Sequence, residues 1–119
     1  MKLILASKSP RRASILRSLG IDFETLIIDV EENSEATDPR QHCEEIAKKK
    51  YDKALYVLRN QGEKGSAVIL ASDTIVVYKN KIFGKPKDED EAREMLRCLS
   101  GSSHHVITSI CMGVYGNLA

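Results

Sequence analysis

Residues Ala67-Val68-Ile69-Leu70-Ala71-Ser72-Asp73-Thr74-Ile75-Val76-Val77-Tyr78 form the most apolar stretch of the chain, and three polar residues interrupt it in the middle. A run of that length and β-branched content predicts a central strand covered on both faces. An aspartate set between Leu70-Ala71 and Ile75-Val76 is costly to bury without a partner. Two readings stand. Asp73 either ties down a break in the strand through backbone N–H groups, or presents a carboxylate at the mouth of a cleft, where it can bind a metal or accept a proton.

The first dozen residues supply a second strand and a helix. Leu3 to Ala6 has the length and flanks of a buried strand. Ser9 suits an N-cap, Pro10 the first helical position, and Gly20 a stop after Leu19. A strand feeding a helix N-terminus leaves backbone N–H groups free for an anion, and Lys8, Arg11 and Arg12 stand beside it. By helical periodicity Arg12 shares a face with Ile15, Leu16 and Leu19, expected to face the core, whereas Arg11 turns toward Ser14 and Ser18. Arg12 therefore leans into the cleft at the strand end, where a phosphate is its natural partner.

Ile21 to Val30 reads as a further extended stretch, ending in the acidic pair Glu31-Glu32, for which a solvated turn is the plain reading. After a polar loop, Asp38-Pro39 opens a helix to about Asn60 with Cys43, Ile46, Ala47, Ala54, Val57 and Leu58 as its apolar stripe. The position that keeps this stripe continuous is Lys50, while Lys48, Lys49 and Lys53 fall on the solvated side. Lys50 either snorkels along the helix or reaches into a polar cavity. Gln61 to Ser66 is a turn, Tyr78 to Phe83 a hairpin, and Gly84-Lys85-Pro86 a loop presenting Lys85. A helix from Asp88 to about Ser100 carries Ala92, Met95, Leu96 and Leu99 as its expected buried stripe, and Gly101 closes it. His104 to Gly116 then reads as a strand with Val106, Thr108, Ile110, Met112 and Val114 on one face.

The 119 residues suit one domain. A formal charge of +1 calls for neither nucleic acid nor an anionic membrane. Met1 leads straight into strand-like sequence, and Cys43, Cys98 and Cys111 sit within apolar patterns as reduced thiols, so a cytoplasmic protein is expected. The histidines lack metal-ligand spacing with those cysteines, so no zinc site is proposed. A nucleic-acid module built on Lys8-Arg11-Arg12 and Lys48-Lys49-Lys50 is disfavoured by the charge balance and by only 5% aromatic residues.

Arg12 at a helix start, the seam lysine Lys50 and the loop lysine Lys85 thus stand against carboxylates at strand ends, Glu32 and Asp73. Cations around acids at strand mouths describe a metal-assisted phosphate site. The motifs that carry these residues are Leu5-Ala6-Ser7-Lys8-Ser9-Pro10-Arg11-Arg12, Glu31-Glu32, Ile46 to Lys50, Ala71 to Val76, Gly84-Lys85-Pro86 and Leu96 to Gly101, then His105-Val106 and Thr108. Their order resembles the Maf family, also called septum-formation-inhibitor proteins, over nearly the whole chain.

That resemblance implies an α/β fold, a mixed β-sheet flanked by helices similar to the inosine-triphosphate pyrophosphatases, with residues 1–119 as a single, C-terminally shortened domain. It implies a nucleoside triphosphate pyrophosphatase, cleaving between the α- and β-phosphates with a divalent cation, Mg²⁺ or Mn²⁺. Asp73 is the implied general base and, with Glu32, a metal ligand; Ser7, Arg12, Lys50 and Lys85 are the implied triphosphate contacts. Thr74 resembles the branch acting on dTTP and UTP, since a branch favouring 7-methyl-GTP tends to carry glutamine there. Family members are longer, with a second half that helps close the nucleotide site, and look dimeric, so a homodimer is expected. The alternative is a catalytically weak nucleotide-binding or cell-division-inhibiting interaction protein.

Overall fold

A computed structural model describes residues 2–62, 65–83, 88–101 and 103–116. In chain order its elements are β1 (Lys2–Ala6), α1 (Pro10–Ser18), β2 (Glu24–Leu26), α2 (Pro39–Asn60), β3 (Ala67–Tyr78), β4 (Lys81–Phe83), α3 (Glu89–Leu99) and β5 (His105–Tyr115). The expected mixed α/β class holds, with one sheet of both parallel and antiparallel strands. The apolar run is the axis of that sheet. β1 lies parallel to its first half, pairing Lys2 through Ala6 with Ala67 through Ala71, and β2 adds parallel to β1. α2 lies within the β1-to-β3 connection, the crossover that parallel strands require.

β5 runs antiparallel along β3 from Ala67–Tyr115 to Val77–His105, filling one edge. β4 turns back on the last residues of β3, pairing Val76 with Phe83. β1 and β4 must therefore share the opposite edge, because β5 already occupies the other along both stretches. Between Ala71 and Val76, no strand of the described residues covers that edge. The polar interruption Ser72-Asp73-Thr74 falls in this notch.

Alternate residues of β3 face α2. Ala67, Ile69 and Ala71 are buried with Ile4 and Ala6 of β1, Ile28, and Ala54 and Leu58 of α2. Fully burying an aliphatic side chain such as Ile69 stabilises by about 1.5–3 kcal/mol. Further along the same face, Ile75 and Val77 pack with Cys43. α2 also crosses β5, where Tyr51 lies directly over Gly113; any side chain at 113 would collide with the tyrosine ring. The hairpin between β3 and β4 turns through Lys79 and Asn80, with φ of 49° and 61°. Two consecutive left-handed residues make the tight turn whose twist matches its strands.

Four expectations need correction. The extended stretch 21–30 yields only the three-residue β2, since its partner β1 ends at Ala6. Beyond Leu26 the chain leaves the sheet, burying Ile28 and turning Ile27 outward. On α1 only Ala13 is buried, while Ile15 and Leu19 are 53% and 66% exposed. No residue of α3 is fully buried and Leu96 points outward, because this helix follows the short β4 and shares with it only an open groove lined by Ile82, Phe83 and Met95. Finally, β3 is closed only on the α2 side. The other face is partly open at Thr74, and Val106, Ile110, Met112 and Val114 of β5 lie exposed on it. The periodicities are right, but these apolar faces lack a covering layer among the described residues.

Candidate active site

Asp73 is 5% exposed and Lys50, reaching in from the middle of α2, is 8% exposed. The Lys50 ammonium lies 3.2 Å from Asp73 Oδ1 and 3.3 Å from Glu32 Oε1, and donates to the Ser72 carbonyl at 3.3 Å. Lys50 therefore does not snorkel: it crosses into the notch and stands between two carboxylates from different parts of the chain. A buried carboxylate and a buried ammonium each need such compensation. The acidic pair also separates, since Glu31 accepts from the Asn33 side chain at 3.4 Å while Glu32 turns to Lys50.

Arg12 approaches from α1. Its Nη1 donates to the Ser72 carbonyl at 2.8 Å and its Nη2 to Thr74 Oγ1 at 3.2 Å. Asp73 and Thr74 are consecutive strand residues, so their side chains leave opposite faces. Lys50 consequently meets Asp73 on the α2 face while Arg12 meets Thr74 on the other, and both cations converge on the carbonyl of Ser72. Ser7, just past β1, is buried, and its Oγ accepts the Ser9 N–H at 3.0 Å, leaving its own hydroxyl proton to donate. Ser9 holds the N-cap position but its side chain makes no cap bond, so the first-turn N–H groups of α1 lack a side-chain acceptor. Ser7, Lys8, Arg12, Glu32 and Lys50 line one cleft.

Three further groups shape the site through contacts that the sequence pattern did not show, although it placed Lys8 at the helix start and Thr108 among the motifs. Lys49 donates to the Asn33 carbonyl at 2.6 Å and Lys53 to the Asp29 carbonyl. One turn apart on α2 and exposed as expected, they also pin the loop that presents Glu32. Lys8 pairs with the Asp29 side chain at 2.9 Å, and that hydrogen bond and charge raise its pKa above the ordinary lysine value. Thr108, directly across from Thr74 in register, shares a 3.0 Å hydrogen bond with it. The i, i+4 spacing of Lys49 and Lys53 was a usable signal; the Thr108 contact needed the strand register. Beneath the site, Cys43 Sγ donates to the Asp73 carbonyl at 3.2 Å, and burial pushes this thiol's pKa up. Lys85 lies outside the described residues.

Residues 2–117 match the family described as Maf-like protein. The chain belongs to the Maf-like family. Among curated relatives, a dTTP/UTP pyrophosphatase of Aquifex aeolicus is 45% identical over 112 residues, covering 94% of this chain and 56% of the relative. Those of Thermoanaerobacter sp. (strain X514) and Acetivibrio thermocellus are 44% and 43% identical over 110 and 116 residues, covering 92% and 94% of this chain and 55% and 56% of theirs. This Maf-like chain spans about half the length of the curated relatives it matches.

The donor set of the Maf-like site can be tested against a divalent cation. Among the described residues no three His, Cys, Asp or Glu side chains gather into a self-sufficient cage. Glu32 and Asp73 nonetheless flank a single cationic group, Lys50. One or two carboxylates completed by water and substrate phosphates is the coordination that Mg²⁺-type ions take, so these residues fit such an ion. No helix among the described residues is long and apolar enough to cross a membrane.

Proposed function

We propose that this chain carries the phosphate-binding and proton-accepting wall of a nucleoside triphosphate pyrophosphatase acting on dTTP and UTP. The observation that carries this reading is the juxtaposition in the notch of Asp73, Glu32 and Lys50 with Arg12. Those cations can receive a triphosphate, and Asp73 lies among them as the carboxylate able to take a proton from water. The names of the relatives supply the substrate class.

In this reading Asp73 accepts a proton from a water whose oxygen bonds to the α-phosphorus. The bond from that phosphorus to the α–β bridging oxygen breaks, and its electron pair leaves with pyrophosphate. Arg12, Lys50 and the Ser7 hydroxyl hold phosphate oxygens, with Lys85 joining them by family resemblance, and the charge they offset grows on the leaving group. Glu32 and Asp73 would hold the divalent cation, Mg²⁺ or Mn²⁺, which when bound neutralises phosphate charge and eases deprotonation of water. Thr74, held by Arg12 and Thr108, is the residue through which we read the preference for dTTP and UTP. The free Cys43, Cys98 and Cys111 support a reducing, cytoplasmic setting. Among the described residues no strand pairs with the outer edge of β5, and such an edge supports self-association into a homodimer. A role in septum formation rests on the family resemblance.

Pyrophosphate release from a panel of nucleoside triphosphates with Mg²⁺ or Mn²⁺ tests the reading. dTTP and UTP should turn over ahead of the purine nucleotides, and a chain that releases nothing from any of them contradicts it. Calorimetric binding without turnover would favour the alternative, a nucleotide-binding or cell-division-inhibiting interaction protein. Arg12→Lys should raise KM for dTTP about tenfold, because a lysine cannot bridge Ser72 and Thr74 as a planar fork does. Steady-state kinetics that leave KM unchanged would remove Arg12 from the phosphate-binding role.

A further inference from the structure

Among the described residues, Lys50 is the one cation that both acidic groups of the site share. Its ammonium is 3.2 Å from Asp73 Oδ1 and 3.3 Å from Glu32 Oε1, and its third contact is the Ser72 carbonyl at 3.3 Å. The ammonium donates hydrogen bonds to Asp73 Oδ1 and to the Ser72 carbonyl, and its contact with Glu32 is an ion pair. We propose that Lys50 is a resident counter-cation whose place between the carboxylates must be vacated before both can hold a divalent ion, so that the site takes a metal well only when a triphosphate is present to receive the lysine. This rests on the metal-assisted reading above and adds to it an order of binding set by one side chain.

Two like charges cannot share the space between the same pair of carboxylates, and the low polarity of a site with Asp73 and Lys50 both more than nine-tenths buried strengthens their repulsion. The displaced ammonium has somewhere to go. Lys50 lines the same cleft as Arg12, Ser7 and Lys8, where a polyphosphate would supply acceptor oxygens. Glu32 is the more exposed partner, with its side chain 41% exposed against 7% for Asp73. Exchange therefore breaks the outer contact first. Such coupling between two ligands spans about 5–150-fold in affinity.

The test uses Mn²⁺ alone, with no nucleotide, followed by the loss of its free-ion electron paramagnetic resonance signal. Lys50→Met should bind Mn²⁺ about tenfold or more tightly than the native chain, Lys50→Arg should show no gain, and Lys50→Met/Asp73→Asn should lose it. If Lys50→Met is unfolded, a cooperative thermal transition restored by Mn²⁺ supports the same conclusion; failure to recover with the ion overturns it. Equal Mn²⁺ affinity in the native chain and in Lys50→Met also overturns it. Should pyrophosphate release need a divalent ion while that equality holds, only the counter-cation inference falls. If release needs no divalent ion, the metal reading falls and carries this inference with it.

Discussion

Asp73→Asn is expected to slow pyrophosphate release about 10²–10⁴-fold, the range a positioned general base contributes, while leaving the fold intact. Asparagine keeps the shape and an acceptor oxygen for Lys50, and the lysine retains Glu32 and the Ser72 carbonyl. KM for dTTP should change far less than kcat, because the triphosphate contacts assigned to Arg12, Ser7 and Lys50 remain. Steady-state kinetics with a matched circular-dichroism spectrum reads this directly. A variant that folds and retains native kcat places the base elsewhere.

The converse substitution should act on stability. Lys50→Met removes the only ammonium paired with Asp73 among the described residues, a carboxylate 5% exposed. Breaking a buried pair from one side costs about 3–5 kcal/mol because the remaining charge is uncompensated. Urea denaturation should show that loss. Adding Asp73→Asn to Lys50→Met should recover a large part of it, since a neutral amide no longer needs a counter-charge. A double-mutant cycle with no coupling, each change costing the same in either background, would mean that Lys50 and Asp73 do not compensate one another.

Strand and helix identities were legible because the chain's periodicities are strong. The long apolar run on either side of Ser72-Asp73-Thr74 gave β3, and Asp38-Pro39 with a long 3.6-residue stripe gave α2 at the bounds the structure shows. Lys50 was conspicuous for the same reason: it breaks a stripe that is otherwise apolar and is buried where the stripe predicts. Its contact with both Glu32 and Asp73 was not legible. That depends on where the loop after β2 returns, which Lys49 and Lys53 decide. The notch was also out of reach, because it comes from the different lengths of β1 and β4 against one long strand. Amphipathic pattern alone misplaced Ile15, Leu19 and Leu96: it identifies an apolar face, but whether that face is covered depends on which layers the chain places over it.

Hydrolysis of dTTP in ¹⁸O-labelled water tests the central claim most directly, because the label records which phosphorus the water attacked. With Asp73 delivering water to the α-phosphorus, all of the label should appear in the nucleoside monophosphate and none in the pyrophosphate. Label in the pyrophosphate, or orthophosphate as the released product, would contradict the account.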